Sequence, residues 1–454
     1  MWFDETLSAL FAWLPLDAAI QAMLQEGLHH SPLFYILLRP FAAGGFSEFS
    51  LRFLPVTLGV LAVPLIAQIG RTMVGARVGL LAAALLAVNP FHVWYSQEAR
   101  MYTLLLVSAL GAMFFFVQAL RAPHLKNWLG VAVFTAIGVN THHFAFFIPL
   151  VQFMFIVVKL KQHHSLLRPW IGAQLLAGLS LIPWIVIVVN WGHFYFGSAS
   201  NQPATGYDLL QTLWNFSIGY TERITPFILV ALSLFLLLFI LGVRSSLRMN
   251  EGWLLLLWAV VPPVATFLIS FRLPMYTDRY ISLSLPPFLL LVAIGIGSVR
   301  LQGLRLAMTG LVVSAMLAGL GRVYYDTSVY NRADWRSVGA YLEANAEARD
   351  VIATWNYQDL VPFMFYYHGA VPLKPLMIVN TVNLPTLPAA QTASQKIWIV
   401  IPHLNRSTHL VGHCQPFDFE ALRPTAAVRE WRLQYQPRLS AVKEFPCIRV
   451  EVYE

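Results

Sequence analysis

Apolar residues along this chain run in long uninterrupted blocks, not in the alternating or one-sided patterns of a soluble protein. Between Arg52 and Arg322 these blocks recur at about 20 residues, the length an α-helix needs to cross hydrocarbon, with polar residues confined to the joints. Backbone groups inside a bilayer must bond within their own segment, so the blocks predict helices and not barrel strands. Ten spans are expected, at 52–71, 78–92, 101–120, 127–141, 143–160, 169–190, 225–243, 252–271, 280–299 and 303–322. From Tyr324 onward the pattern changes. "NRADWRSVGAYLEANAEARDVIATW" predicts a capped amphipathic helix followed by a strand, and "KIWIVIP" and "CIRVEVY" predict two more strands. The chain thus divides into an N-terminal segment 1–51, a membrane domain 52–322 and a soluble α/β domain 323–454.

Composition strengthens the membrane reading. The 454 residues are 57% hydrophobic and 11% charged, against the roughly one quarter charged that a soluble protein carries. The joints sort by charge. One set holds Arg71, Arg77, Arg121, Lys126, Lys159, Lys161, Arg168, Arg244, Arg248, Arg300 and Arg305 with the single acid Glu251. The alternate joints mix Arg100, Arg223, Arg272 and Arg279 with Glu98, Asp208, Glu222 and Asp278. Basic joints face the cytoplasm, so the second set faces outward, as do residues 1–51 and everything after Arg322. These cytoplasmic bases account for most of the formal charge of +8, so no nucleic-acid partner is needed.

An outer segment with no span before it is awkward to translocate, so a first helix upstream of Met1 is expected to be missing. No cleavable signal peptide is read, because Met1 opens into an acid-bearing stretch. Segment 6–46 is apolar but broken by Pro15, Pro32, Pro40 and Gly44-Gly45, which predicts helices lying along the outer interface. The two cysteines, Cys414 and Cys447, both fall in the soluble domain; a disulfide and two separate buried thiols are both open.

Five small polar groups fall at the outer ends of spans: Asp4-Glu5; His29-His30; Gln97, Glu98, Arg100 and Tyr102; Asn140, His142 and His143; and Asp278, Arg279 and Tyr280. Ionisable groups so close to hydrocarbon cost a few kcal/mol each and usually line a cavity. A single outward-opening cavity would gather all five. Each group also has a plain structural reading. Asp4-Glu5 fits a helix-start acid pair, and adjacent side chains on a helix diverge, so at most one would face a reacting atom. Arg100 and Arg279 fit headgroup anchors, while Trp94 and Tyr95 fit an aromatic belt. His29 and His143 are the candidates for a divalent metal, but His163-His164 in a cytoplasmic joint shows that His pairs also occur without a site. No glycine loop for nucleotide phosphates is present, so the energy for any chemistry would arrive with the substrate.

Four stretches resemble the polytopic glycosyltransferases of the C-type fold, specifically bacterial relatives of the protein O-mannosyltransferases and of the transferase that adds aminoarabinose to lipid A. They are "WFDETLSA", "HHSPLFYILLRPFAAGGFSEFSLRFLPVTLGVLAVPLIAQIGRTMVG", "NPFHVWYSQEARMYTLLL" and "DRYISLSLPPFLLLVAIGIG". Ser31 stands where the family usually has a proline, and His29 where relatives often have an acid.

The resemblance implies a donor sugar carried on a polyprenyl phosphate and an acceptor hydroxyl on a lipid, protein or polysaccharide. It assigns the general base to Asp4, with Glu5 beside it. The leaving phosphate would be met by Arg100, Arg279 and His30, since a guanidinium matches phosphate geometry in a fork. Glu98, Tyr102, Gln97, His142 and Tyr280 would contact substrate, and the reaction would invert the anomeric centre. The implied setting is the inner membrane, with membrane lipids around the spans and the C-terminal domain in the periplasm. A transporter or lipid flippase with an extracytoplasmic domain is the alternative of another class. Such proteins usually carry internal repeats, and none is evident here.

Overall fold

The structure is a computed structural model that describes residues 3–28, 30–43, 47–159, 164–191, 203–220, 225–325, 333–377, 396–402, 430 and 436–453. Residues 9–325 form one compact unit, and residues 1–8 group with 326–454 in a second.

In the first unit all ten stretches expected to span are helical. Five helices are individually long and apolar enough to cross a membrane: Glu48–Met73, Tyr102–Arg121, Pro226–Ser246, Gly252–Ser270 and Gln302–Tyr325. Two more stretches are bent pairs, Ala76–Val88 with Pro90–Ser96 at 61° and His164–Leu179 with Ile182–Trp191 at 46°. The helices Leu125–Val139, His143–Val158 and Ser282–Ser298 are shorter but equally apolar. Upstream, helices α1 (Phe3–Trp13), α2 (Leu16–Gln25) and α3 (Leu33–Ala42) meet at Pro15 and Pro32, as the breakers require. Arg39 donates to the carbonyl of Leu14 at 2.9 Å, tying the end of α3 to the end of α1.

Tight helix contacts depend on glycine in a few places. A Cβ on Gly242 would lie 1.9 Å from the carbonyl oxygen of Leu291, and one on Gly295 would lie 2.0 Å from that of Leu238. The helices Pro226–Ser246 and Leu285–Ser298 therefore pack backbone to backbone, a common arrangement where lipid supplies no hydrophobic drive between helices. Gly59 plays the same part for the short helix Pro90–Ser96, since a Cβ there would collide with Ser96 Oγ.

The second unit holds a five-stranded sheet in the order β2-β1-β3-β5-β4. Strands β1 (Val351–Asn356), β2 (Leu373–Met377) and β3 (Ile397–Pro402) run parallel; β4 (Leu439–Phe445) and β5 (Ile448–Tyr453) are antiparallel. The helix Trp335–Asn345 is capped by Asp334, whose carboxylate accepts the Ser337 N–H at 3.1 Å. Its Trp335, Val338 and Leu342 pack with Ile352, Phe363, Val400, Ile448 and Val450 into the core of the unit. The helix and the strands β1, β3 and β5 lie where the sequence pattern puts them. Cys447 is disulfide-bonded; Cys414 lies outside the described residues.

Candidate functional site

The stretch "NPFHVWYSQEARMY" breaks one helix and starts the next. Asn89 caps the new helix by accepting the His92 N–H at 2.9 Å, while its amide donates to the Phe216 carbonyl at 2.8 Å. Pro90 takes the first helical position, where its missing N–H costs nothing. After Ser96 the chain makes a tight turn in which the Arg100 N–H reaches the Glu98 carbonyl at 2.7 Å, and Tyr102 opens the next helix. This turn buries both Glu98 and Arg100.

From Arg100 a continuous arc of side chains leads to Arg279. The Arg100 guanidinium donates to Tyr35 OH at 3.4 Å, and the same hydroxyl lies 3.0 Å from His30 Nε2. The His30 and His143 rings are 6.4 Å apart, and those of His143 and His142 are 6.3 Å apart. His142 packs on Tyr280 with centroids at 4.9 Å, and Arg279 lies 5.5 Å from the centre of the Tyr280 ring. Tyr102 closes the inner side, 6.4 Å from Tyr280 and 5.2 Å from Tyr95. Four of the sequence-predicted groups contribute to this arc or its flank. Burial, with the nearby charges of His143, Arg100 and Arg279, holds His142 well below the ordinary histidine range.

The loop carrying Arg279 and Tyr280 is pinned at both ends. Ser270 Oγ accepts the N–H groups of Met275 (3.1 Å) and Tyr276 (2.8 Å). Asp278 Oδ1 accepts the Arg279 N–H at 2.8 Å and the Tyr220 hydroxyl at 3.0 Å, and its Oδ2 accepts from the Asn215 amide. Tyr220 is donating to Asp278, so the 2.6 Å contact between Tyr95 and Tyr220 is a donation from Tyr95. Burial raises the Asp278 carboxyl above its ordinary range, against the lowering effect of these hydrogen bonds and of Arg279. Asn215 and Thr212 lie on the helix Gly206–Ile218, in a region expected only as a loop between spans. Thr212 donates to the Asp208 carbonyl and receives the Tyr276 hydroxyl at 2.8 Å.

Gln97 donates to the Tyr324 hydroxyl and not into the arc. Asp4 and Glu5 open α1 in its first turn, with Glu5 fully buried and Asp4 partly exposed, so the neighbours diverge as expected. They belong to the second compact unit. His29 lies outside the described residues. Among the described residues no three His, Cys, Asp or Glu side chains gather as metal ligands. Sequence reasoning missed Tyr35, Asn215 and Tyr220. Tyr35 sits five residues past His30 in the quoted His-rich stretch, a spacing that could have drawn attention to it.

The architecture is that of a polytopic helical membrane protein with a small C-terminal sheet unit. ArnT from Cupriavidus metallidurans, solved bound to undecaprenyl phosphate, matches with a TM-score of 0.58 at 12% identity, over 93% of this chain and 87% of that one. Its apo state matches at 0.59 with the same identity and coverage. The Archaeoglobus fulgidus oligosaccharyltransferase, in complex with zinc and sulfate, matches at 0.49 and 14% identity, over 82% of this chain and 59% of that one. No curated protein sequence matches the chain. Residues 29–187 match the family described as dolichyl-phosphate-mannose-protein mannosyltransferase. By sequence over that segment and by fold over most of its length, the chain is similar to the C-type membrane glycosyltransferases, as its motifs implied.

Proposed function

We propose that this protein transfers a sugar from a polyprenyl-phosphate donor to an acceptor hydroxyl at the outer face of the inner membrane. The observation that carries the reading is the arc joining Arg100 to Arg279 through Tyr35, His30, His143, His142 and Tyr280. Two guanidinium groups at the membrane-proximal ends of spans suit a leaving group that is itself a lipid phosphate. ArnT, solved with undecaprenyl phosphate, lends support through its fold.

In this mechanism the acceptor oxygen attacks the anomeric carbon while the bond from that carbon to the phosphate oxygen breaks. The acceptor proton goes to a carboxylate, assigned to Asp4, and the electron pair leaves with the polyprenyl phosphate. Direct displacement inverts the anomeric configuration. General-base help of this kind contributes about 10²–10⁴-fold. Arg100, Arg279 and His30 stabilise the charge that grows on the phosphate, and a single well-placed donor in such a role is worth roughly 10²–10³-fold. Glu98 orients Arg100 or the acceptor, while Tyr102 and Tyr280 flank the transferred sugar. The apolar helices hold the prenyl tail.

The test supplies membranes containing the protein with radiolabelled polyprenyl-phosphate sugars and follows label leaving the lipid. Wild type should release label and Asp4→Asn should not, with the labelled product naming the acceptor. Equal release by both would remove Asp4 as base, and no release from any donor by folded protein would defeat the reading.

A further inference from the structure

His142 caps the short turn His143–Phe146: its Nδ1 accepts the backbone N–H of Phe144 at 3.2 Å. A ring nitrogen that accepts a hydrogen bond cannot carry a proton, so the ring is neutral and its single proton sits on Nε2. The backbone N–H of Phe144 settles which way the ring faces, because a flipped ring would present it with a carbon. Nδ1 is thereby committed to the backbone and Nε2 is a donor only. Neither nitrogen has a lone pair left for a metal ion.

The Nε2–H group has no hydrogen-bond partner among the described residues, although the side chain is only 7% exposed. The atom is not among the sealed, unpartnered polar groups of the structure, so this donor is open to a ligand entering the arc. The surroundings name that ligand's chemistry. The imidazole lies against Tyr280, whose ring Arg279 approaches at 5.5 Å, and it follows His30 and His143 along the arc from Arg100. Arg100 and Arg279 both act electrostatically on it. An acceptor that meets this N–H in the field of two guanidinium groups is favoured when it carries negative charge.

Resting on the glycosyl-transfer reading above, we propose that His142 Nε2–H is a permanently charged-state-independent donor to the phosphate of the lipid-linked donor. His142 is thus a third contact to that anion beside the two guanidinium groups, and it is neither a metal ligand nor an acid–base group. Its capping bond makes the donor rigid, so no reorientation is needed when negative charge develops on the departing phosphate.

Two variants separate the cap from the donor. Asn at position 142 keeps a good cap but ends short of the Nε2 position, whereas Gln restores an N–H near that position. Binding of undecaprenyl phosphate in detergent is measured for full-length wild type, His142→Asn and His142→Gln. A donor to a charged acceptor is worth about 1.5–3 kcal/mol, so His142→Asn should bind roughly 10- to 100-fold more weakly. His142→Gln should recover part of that loss. ¹⁵N spectra of histidine-labelled protein, with His142 identified by its disappearance in His142→Asn, should show an unprotonated Nδ1 and a protonated Nε2 at pH 7.

Wild-type affinity in His142→Asn, or a ring protonated on Nδ1, overturns the proposal. So does unchanged lipid-phosphate affinity with a raised KM for the sugar-loaded donor, which would place the contact on the sugar. If wild type itself fails to bind undecaprenyl phosphate, the reading of the whole site falls, not that of His142 alone.

Discussion

Replacing Asp278 by alanine should dismantle one side of the site without touching the residues that face it. The carboxylate receives three donors: the Arg279 N–H, the Tyr220 hydroxyl and the Asn215 amide. Tyr220 has an alternative, because its hydroxyl can turn to Tyr95, 2.6 Å away, if that bond reverses direction. The Asn215 amide is left buried without this acceptor, at about 1–3 kcal/mol, and the part-buried Arg279 N–H loses it as well. The middle of that range, about 2 kcal/mol, shifts the ordering of the loop about thirtyfold. Asp278→Asn is the informative partner. Its remaining oxygen can still accept from Arg279 and Tyr220, and a flip of the Asn215 amide turns a donor–donor clash into a hydrogen bond. Burial raises the Asp278 carboxyl above its ordinary range, so the fold disfavours its charge and the amide sacrifices little electrostatic energy. Thermal unfolding in detergent and transfer from a labelled lipid-phosphate sugar are the two assays. Asp278→Ala should lower the midpoint and reduce transfer by about 30-fold or more, while Asp278→Asn stays within about tenfold of wild type. An alanine variant matching wild type in both assays would refute the claim that this network holds Arg279 and Tyr280 in place.

Tyr35→Phe removes only the hydroxyl shared by Arg100 and His30 and keeps the ring against Phe11 at 5.2 Å. It should fold normally and lose about 10- to 100-fold in transfer, and a wild-type rate would show that Arg100 needs no such brace. Gly242→Ala would drive a methyl into the Leu291 carbonyl and should cost about 1–3 kcal/mol or more. Gly310→Ala, where nothing lies within 4 Å, is the control, and equal thermal midpoints for the two would refute the packing account. His142, facing His143, Arg100, Arg279, Phe144 and Tyr280, has its titration depressed in the folded state. Its contribution to stability is therefore full above the unfolded histidine value of about 6.5 and is lost as pH falls toward the folded value. The midpoint should drop between pH 7 and pH 5 less steeply in His142→Asn than in wild type, and parallel curves would contradict this.

Much of the fold was legible because lipid imposes strict rules on sequence. Apolar length marked ten helical stretches between Arg52 and Arg322, and Asn89-Pro90 is a cap and breaker that can be read directly. The helix Gly206–Ile218 escaped because its buried face is polar: Thr212, Gln211 and Asn215 are inside, and hydrophobic periodicity cannot reveal a face that packs through hydrogen bonds. Strand β4 escaped for the opposite reason, since nearly all of "LSAVKEF" is exposed and carries no apolar signature. Among the candidate site residues, charged groups in an apolar background stood out, so Arg100, Arg279 and His142 could be named from sequence. Tyr35 and Tyr220 did not, because a tyrosine near a membrane interface has a sufficient explanation without a partner, and only three-dimensional proximity reveals what its hydroxyl meets.

The arc takes its members from His30 and Tyr35, from Arg100, from His142 and His143, and from Arg279 and Tyr280, with long apolar stretches threaded between them. A chain inserted into a membrane from its first residue onward presents these pieces one after another. Arg100 can meet Tyr35 early, but Arg279 and Tyr280 arrive only with the next-to-last helical stretch of the unit. Until then the arc has one guanidinium and lacks its other end. The spacing of the parts along the chain therefore makes insertion of that late stretch a condition for assembling the arc.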